Sequence, residues 1–386
     1  MTPFVFNTTP SIVFETGSAR RLGEIAAGSL GARVLFVTDP GLRRLGLCDE
    51  AMASVEATGL SLTVFDAVEA DPSRATLMRA VEAGRDAAVT GVIGFGGGSS
   101  LDVAKLAALL LGSGEDLDEA WGVANAKGPR LPLVLVPTTA GTGSEVTPVS
   151  IITVGEEEKR GVSSPVILPD IAVLDPELTL GLPPQITAAT GIDAMVHAIE
   201  AYASKNANNN PISKMLARQA LRLLGANIET AVSNGTDIDA RGAMLLGSML
   251  AGQAFANSPV AAVHALAYPI GGTFHVPHGL SNALVLPHVL RFNAPVAAQV
   301  YADIAADAFP ALSTEEGAQG LCAAFIEKLA TLAGKLGLAA RLREVGIGED
   351  HLPKMAADAM KQTRLLVNNP RPVSEADALA IYRAAW

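Results

Sequence analysis

Residues 89–105 have the sequence VTGVIGFGGGSSLDVAK, and this stretch sets the architecture of the first half of the chain. Its apolar opening, Val89–Phe95, predicts a buried strand, and the residues from Ser100 to Leu111 predict a helix. Glycines in the intervening turn would let the backbone approach a phosphate, which a helix N-terminus also attracts. The run therefore predicts either a phosphate-binding loop or a tight strand-to-helix turn, and it lacks the G-x-G-x-x-G spacing of a dinucleotide fingerprint.

The chain on both sides of this stretch continues the alternation of strand and helix. Helical patterns such as Pro72–Ala88 separate short apolar runs, as is typical of parallel βαβ units buried on both faces. Further strands are predicted at Arg33–Thr38, Leu62–Phe65, Leu131–Val136 and Ile171–Leu174. Residues 1–182 are therefore predicted to form an α/β domain with a parallel, Rossmann-like sheet.

The pattern changes at Leu182-Pro183-Pro184, after which nearly every periodic segment is helical. In the first of these segments, Ile192, Met195, Val196 and Ile199 recur at the spacing of one helical face. Helical patterns also cover residues 212–224, 240–256, 315–337 and 374–385. Residues 183–386 are therefore predicted to form an all-helical domain.

Composition limits the classes of function. The 386 residues are 49% hydrophobic, and 28 basic against 39 acidic residues give a net charge of −11, which disfavours nucleic acid as a partner. The two cysteines, Cys48 and Cys322, fit neither a disulfide framework nor a zinc-finger spacing, so two reduced thiols are expected. The sequence has no signal-peptide pattern and no apolar run long enough to span a bilayer, so a cytoplasmic protein without a membrane partner is expected.

A second loop, PTTAGTGSEVT (137–147), also follows an apolar strand. Its hydroxyl groups and glycines suit contacts with phosphate and ribose, although a polar loop that caps a helix would have the same composition. Both loops lie at the carboxyl ends of predicted parallel strands, the edge where open α/β sheets bind ligands.

Asp39 ends the predicted strand Arg33–Thr38. A carboxylate there can accept hydrogen bonds from an adenosine ribose and would repel a 2′-phosphate, which favours NAD over NADP. The alternative is a turn residue, because Asp39-Pro40-Gly41 is a typical turn sequence.

Asp193 and His197 are four residues apart in a helical pattern, so they project from one face about a turn apart. His264 lies in an apolar helical pattern, and His278 follows Pro277 at a predicted helix start. Considered separately, Asp193 and His197 could be a hydrogen-bonded surface pair. His264 and His278 could each be a core histidine whose hydrogen bonds are satisfied. Taken together, three imidazoles and a carboxylate suit Fe(II) or Zn(II) rather than Mg²⁺ or Ca²⁺.

With these motifs in order, the whole chain resembles the iron-containing (group III) alcohol dehydrogenases. The resemblance is carried by GFGGGSSLDVAK (94–105), PTTAGTGSEVT (137–147), PPQITAATGIDAMVHAIEAY (183–202) and HALAYPIGGTFHVPHGLSNALVLPH (264–288). It implies a dehydroquinate synthase-like fold, with a dinucleotide-binding first domain and a helical metal-binding second domain. It also implies that the divalent metal, usually iron and sometimes zinc, is held by Asp193, His197, His264 and His278.

The resemblance also implies roles for residues of the cofactor half. Gly97, Gly98 and Ser99 would contact the pyrophosphate, and Asp39 would favour NAD. The rest of the cofactor would be contacted by Thr138, Thr139, Thr147 and Lys159.

The chain departs from the family pattern at two positions. Many members have a histidine where this chain has Tyr268, and that histidine is thought to help proton exchange. Tyr268, His275 or water could take its place, so Tyr268 and His275 join His264 and His278 as catalytic candidates. The other departure is Asp71, where related sequences often have asparagine, and no role is assigned to it.

The function expected from these features is hydride transfer between NAD(H) and a small primary alcohol or diol, or its aldehyde, with a metal as Lewis acid. A dehydroquinate-synthase-like lyase would need a basic pocket, and no such cluster surrounds His278. A metal-independent maleylacetate-type keto-acid reductase and a non-catalytic NAD-binding sensor would not need four metal ligands. The expected assembly is a homo-oligomer, namely a dimer.

Overall fold

The structure is a computed structural model that describes residues 3–155, 158–312 and 317–386. Its first part contains a six-stranded sheet of the order β1-β9-β6-β4-β2-β3, in which every neighbouring pair is parallel. The strands of the first part are β1 (Ser11–Phe14), β2 (Arg33–Val37), β3 (Ser61–Phe65), β4 (Gly91–Gly96), β5 (Gly122–Val123), β6 (Leu133–Pro137), β7 (Val149–Val154), β8 (Glu158–Ser163) and β9 (Ile171–Leu174).

Helices connect these strands and cover both faces of the sheet. They are α1 (Leu22–Leu30), α2 (Pro40–Arg44), α3 (Asp49–Ala57), α4 (Arg74–Asp86), α5 (Gly98–Ser113) and α6 (Leu117–Ala120). Along β2, Val34 and Phe36 belong to one apolar core, whereas Leu35 and Val37 belong to another. Alternate side chains of a strand point to opposite faces, so the two cores lie on the two faces of a fully covered parallel sheet.

Two features of the sheets go beyond the sequence prediction. The edge strand β1 pairs with β9 alone, and a small second sheet has the order β5-β8-β7, with β7 and β8 antiparallel. The alternating burial along Ser150–Val154 fits a strand with one face covered. The strand β8 (EKRGVS) has hardly any apolar residues, so a pattern of apolar runs between helices does not predict it.

The second part of the chain is helical within the described residues. Its helices are α7 (Pro184–Ala203), α8 (Pro211–Ser233), α9 (Ile238–Asn257), α10 (Ala262–Phe274), α11 (His278–Ala308), α12 (Gly317–Lys335), α13 (Leu352–Ala359), α14 (Thr363–Leu366) and α15 (Glu375–Ala385). The α7 helix is buried along most of its length and packs against α8, α9 and α11. The predicted fold class, a parallel α/β domain followed by a helical one, is confirmed.

The chain divides into two compact units. The α/β unit comprises Asn7–Thr139 and Gly143–Gly181, and the helical unit comprises Met1–Phe6, Ala140–Thr142 and Leu182–Trp386. Two short segments from the first 182 residues thus group with the helices. In the described part of the chain, no helix combines the length and apolarity needed to cross a membrane. Cys48 and Cys322 are both buried free thiols.

Candidate metal and cofactor sites

The α7 helix presents Asp193 and His197 from one face, as their spacing predicts. Both side chains are buried, in a stretch of the helix rich in alanine and glycine. Small neighbours leave room for two polar side chains inside a helical unit, where they need polar or ionic partners.

Two other helices bring the remaining histidines to this pair. His264 lies in the first turn of α10, and His278 is the first residue of α11. Gly279 lets α11 approach α7 closely, because a Cβ atom at this position would lie only 2.3 Å from the carbonyl oxygen of Ala189. The glycine of the Pro277-His278-Gly279 motif therefore sets the position of His278.

The four side chains form one compact cluster. A ligand atom from each of Asp193, His197, His264 and His278 lies within 4.8 Å of all the others. Asp193 Oδ1 is 3.9 Å from His264 Nε2 and 3.6 Å from His278 Nε2. The exposed fraction is 37% for the His278 side chain but only 2% for that of Asp193, so the cluster is accessible on the His278 side.

Neighbouring acceptors orient two of the imidazoles. His264 Nδ1 lies 2.7 Å from Glu200 Oε2, and His197 Nδ1 lies 3.2 Å from the carbonyl oxygen of Gly141. With Nδ1 donating to an acceptor, Nε2 of each ring keeps its lone pair for the cluster. Glu200 is itself fixed, because the backbone N–H of Val263 donates to its Oε1 at 2.7 Å.

The charge states of the cluster suit a cation. Burial lowers the pKa of His197 to about 3, although Asp193 opposes this shift, so the ring is neutral at neutral pH. Burial alone would raise the pKa of Asp193, but the surrounding imidazoles and the Asn282 amide outweigh it and lower that pKa below its ordinary value. A carboxylate and imidazole nitrogens are the donor set of an Fe(II) or Zn(II) site.

Asn282 extends the cluster, one turn after His278 on α11. Its Nδ2 lies 2.6 Å from Asp193 Oδ1, 3.2 Å from His264 Nε2 and 3.3 Å from His278 Nε2. The Oδ1 atom of the same side chain is buried and has no hydrogen-bond partner among the described residues.

Two aromatic rings border the cluster. Phe255 of α9 stacks on His197 with ring centroids 4.3 Å apart, and Tyr268 lies against His278 at 6.3 Å. Both rings are half-buried. His275 is exposed at the left-handed C-cap of α10, with φ at 55°, and lies outside the ligand cluster of the described residues.

The glycine turn has the form that a phosphate site requires. Gly96 has φ at 149°, which favours glycine, and Gly97 is the N-cap of the 16-residue helix α5. Gly97, Gly98 and Ser99 are each partly exposed at this N-terminus, where helix N–H groups are available to an anion.

The predicted threonines of the second loop differ in their accessibility. Thr139 is half-buried and lies next to Gly97, since a Cβ on that glycine would be 3.6 Å from Thr139 Cγ2. Thr138 and Thr147 are almost fully buried, and Thr147 Oγ1 accepts a hydrogen bond from Lys105 Nζ at 3.2 Å.

Lys105 of α5 holds the second loop against that helix. Its fully buried ammonium donates to Ser144 Oγ at 2.7 Å and to the Val149 carbonyl at 2.8 Å, and Asp102 Oδ1 accepts from Ser144 Oγ at 2.6 Å. Burial lowers the pKa of Lys105 to about 8 and raises that of Glu145 to about 7. The network holds residues 144–149 against α5.

Asp39 and Lys159, two predicted cofactor residues, already have partners. Asp39 is the N-cap of α2, and its Oδ1 accepts from the backbone N–H groups of Gly41 at 2.8 Å and Leu42 at 3.0 Å. Lys159 forms an ion pair with Asp71, whose backbone is left-handed at φ 52°. Cofactor contacts by these residues remain predictions.

The residues that hold the site in place by hydrogen bonds were not predicted from the sequence. Glu200 lies seven residues after Asp193 and three after His197, so helical periodicity places all three on one face of α7. Asn282 follows His278 by four residues, which gives the same signal on α11. Asp102 and Lys105 are within the 94–105 motif, but the sequence gives no sign that their partner is Ser144.

The geometry defines a class of protein: a nucleotide-type α/β unit with a glycine turn at a helix N-terminus, joined in one chain to a helical unit with an Asp/His₃ metal cluster. The family model of the iron-containing alcohol dehydrogenases matches residues 9–176, and that of the C-terminal part of the Fe-containing alcohol dehydrogenase family matches residues 187–386. The chain belongs to the iron-containing alcohol dehydrogenase family, and it is an enzyme of the oxidoreductase class.

Similar proteins share this organisation over nearly their whole length. Long-chain-alcohol dehydrogenase 1 of Geobacillus thermodenitrificans (strain NG80-2) is 43% identical over 363 residues, which cover 92% of this chain and 90% of that protein. The NAD-dependent methanol dehydrogenase of Bacillus methanolicus is 32% identical and covers 98% of this chain and 99% of its own. A solved structure of a 1,3-propanediol oxidoreductase matches with a TM-score of 0.95 at 34% identity and covers 100% of both chains.

Proposed function

We propose that this protein is an NAD-dependent alcohol dehydrogenase that interconverts a small primary alcohol or diol with its aldehyde, using one divalent metal. The single observation that carries the proposal is the cluster of Asp193, His197, His264 and His278, whose ligand atoms lie within 4.8 Å of one another. Relatives whose names specify methanol with NAD, 1,3-propanediol and long-chain alcohols support the reaction class.

The four residues would hold the metal, and Glu200 and the Gly141 carbonyl would keep two of the rings turned toward it. A bound divalent metal supplies Lewis-acid polarisation of the substrate oxygen, and NAD supplies the hydride acceptor. Iron is proposed as the resident metal, with zinc as the alternative, because both accept nitrogen and carboxylate ligands.

The exposed side of His278 is where an alcohol can reach the cluster. Phe255 and Tyr268 border the ligand residues, so they would form apolar walls beside a short carbon chain. The Tyr268 hydroxyl is proposed to relay the hydroxyl proton of the alcohol, accepting that proton while it passes its own to water, in the place of the histidine that related chains have there. His275 is a second candidate for this proton, and its exposure would let it exchange protons with water.

Residues 1–182 are proposed to bind the dinucleotide, and residues 183–386 to carry the metal. Gly97, Gly98 and Ser99 at the N-terminus of α5 would receive the pyrophosphate, with Thr138, Thr139, Thr147 and Lys159 along the rest of the cofactor. The Oδ1 atom of Asp39 is used in capping α2, which leaves its Oδ2 to accept from the adenosine ribose. A homodimer in the cytoplasm is proposed as the working form.

The test is reduction of NAD in the presence of short primary alcohols and diols, with the protein purified anaerobically. Activity should disappear on chelation and return with Fe(II) or Zn(II). Activity that survives complete chelation would contradict the metal requirement, and metal-free reduction of a keto acid would favour a keto-acid reductase. Tight NAD and metal binding without turnover of any alcohol or aldehyde would favour a non-catalytic sensor.

A further inference from the structure

The α10 helix carries two residues of the proposed active site. His264 lies in its first turn and Tyr268 lies one turn later, so both side chains project from the same face of the helix. The ring centroids of Tyr268 and His278 are 6.3 Å apart, and His278 belongs to α11. The turn of α10 between residues 264 and 268 therefore determines where both side chains lie relative to His278.

This turn lacks one of its own hydrogen bonds. Pro269 follows Tyr268 inside α10, and proline has no backbone N–H. The carbonyl of Ala265, four residues earlier, therefore has no donor at position 269, and the proline ring crowds it. Gly271 and Gly272 follow closely and add backbone freedom. The backbone of α10 is consequently held less firmly here than that of an uninterrupted helix.

A side chain from another helix holds this turn. The Tyr382 hydroxyl of α15 donates to the carbonyl oxygen of Leu266 at 2.6 Å. Both residues are fully buried, so water does not compete for the bond. Burial also raises the pKa of Tyr382 well above its ordinary value, so the hydroxyl keeps the proton that it donates. Leu266 directly follows Ala265, so the bond is made where Pro269 weakens the helix.

The donor lies on a helix that is held at both ends. A capping box of Ser374 and Asp377 closes the N-terminus of α15, and Trp386 at the other end donates from Nε1 to the Ile347 carbonyl at 2.8 Å. Between these ends, α15 packs against α11 and α13. Because the donor helix is fixed and the acceptor helix is weakened, the bond constrains α10 rather than α15.

We infer that Tyr382 is a positioning residue for the proposed reaction. Its hydroxyl holds the turn of α10 between residues 264 and 268, and thereby places His264 in the ligand cluster and Tyr268 beside His278. The inference rests on the proposed function, which gives His264 and Tyr268 their roles. In the competing arrangement the bond is purely structural, so its loss lowers the stability of the fold and leaves the site unchanged.

The first test observes Tyr268 directly and needs neither metal nor substrate. The chain has only four tyrosines, so the full-length protein labelled with 3-fluorotyrosine gives a simple ¹⁹F NMR spectrum. The Tyr268 signal is assigned by its absence from Tyr268→Phe. This signal should move in Tyr382→Phe, which removes the hydroxyl alone, and an unchanged signal would overturn the inference. Tyr301→Phe is the matched control, because that hydroxyl is equally buried but bonds to Asn293 on its own helix, so its loss should leave the Tyr268 signal unmoved.

Zinc affinity, measured by competition with a chelator, provides the second readout. Tyr382→Phe should bind zinc about tenfold more weakly, as is usual for removal of a group that supports a metal ligand. Tyr301→Phe should bind zinc like the unaltered protein. Equal zinc affinity in Tyr382→Phe and the unaltered protein would contradict the placing of His264.

A substitution at Pro269 separates positioning from general stability. Pro269→Ala restores the missing N–H, so loss of the Tyr382 hydroxyl should reduce zinc affinity less in that background than in the unaltered chain. An equal reduction in both backgrounds would contradict the inference. If Tyr382→Phe does not fold, folding of the double variant would support the inference, and failure of both to fold would contradict it. Failure of the unaltered protein to bind zinc or iron would instead remove the proposed function, whereas the Tyr268 signal would still show whether Tyr382 holds α10.

Discussion

Single residues define the chemistry of this protein, and most of them act through a neighbour. His264 can direct Nε2 at a metal because Glu200 accepts a hydrogen bond from its Nδ1. His197 can do the same because the Gly141 carbonyl oxygen is the acceptor for its Nδ1. The clustered residues were predictable from the sequence, because Asp193 and His197 are four residues apart and the motif around His278 is specific. Glu200 and Asn282 have the same helical spacings but are common residue types, so only their contacts reveal a role.

The proposed preference for NAD rests on one residue, Asp39. Serine at this position can still cap α2 but has no charge, so Asp39→Ser should retain the fold and accept a 2′-phosphate more readily. We expect the ratio of kcat/KM for NADP to that for NAD to rise by about tenfold or more, since relief of about 1.4 kcal/mol of like-charge repulsion has that effect. Steady-state kinetics with both cofactors measure this ratio, and an unchanged ratio would mean that Asp39 is a cap alone.

At the scale of elements, the approach of α11 to α7 builds the metal site. In Gly279→Ala, the new methyl group would press on the Ala189 carbonyl oxygen, and overpacking of this kind costs about 1–3 kcal/mol. We expect lower stability together with weaker zinc binding. The control is Gly334→Ala on α12, where the methyl group would meet no atom within 4 Å and should stabilise the helix by about 0.5–1 kcal/mol. Gly279→Ala with unaltered zinc affinity would show that the close approach is dispensable.

The attachment of residues 144–149 to α5 depends on Lys105. In Lys105→Met, the carboxylate of Asp102 loses its cationic partner and three acceptors lose a donor, so unfolding should require about 3 kcal/mol less free energy. Denaturant titration measures the loss. Lys127→Met removes an exposed lysine paired with Glu119, and it should change the stability little. Similar effects of the two substitutions would contradict a structural role for the buried ammonium.

Elements differed in how far the sequence could predict them. The strand Ile171–Leu174 is observed with the predicted bounds, and α5 begins within two residues of the predicted start, because long apolar runs and a glycine turn are strong signals. The edge strand β1 and the hairpin of β7 and β8 were missed, since few neighbours cover them and β8 is mostly polar. The approach of α11 to α7 depends on packing at Gly279, which no spacing in the chain encodes.

On the scale of the whole molecule, stability should depend on pH through the half-buried His288. Burial and the nearby Arg291 and Arg341 lower the pKa of His288 to about 4, against 6.5 for the ordinary side chain. Between pH 6.5 and pH 4, His288 is therefore protonated in the unfolded chain but neutral in the folded chain. Stability falls as the pH falls through this range, because the unfolded chain binds more protons. This group should contribute about 1–2 kcal/mol, because each pKa unit is worth about 1.4 kcal/mol and solvent screens part of it.

His288→Gln isolates this contribution. The free energy of unfolding of the variant should fall less than that of the unaltered protein between pH 6.5 and pH 4, whereas the difference between the two should be constant above pH 8. Parallel curves over the whole range would contradict the assignment. Other groups, His197 among them, remain in both proteins and cancel in the comparison.

Metal binding would require the four clustered side chains, the approach of α11 to α7 and the folded helical unit. The measurement to make is elemental analysis of anaerobically purified protein, with His264→Ala in parallel. We predict about one iron or zinc ion per chain in the unaltered protein and none in His264→Ala, together with complete loss of alcohol-dependent NAD reduction. A His264→Ala protein that turns over alcohol at the full rate without metal would contradict metal-dependent catalysis at this cluster.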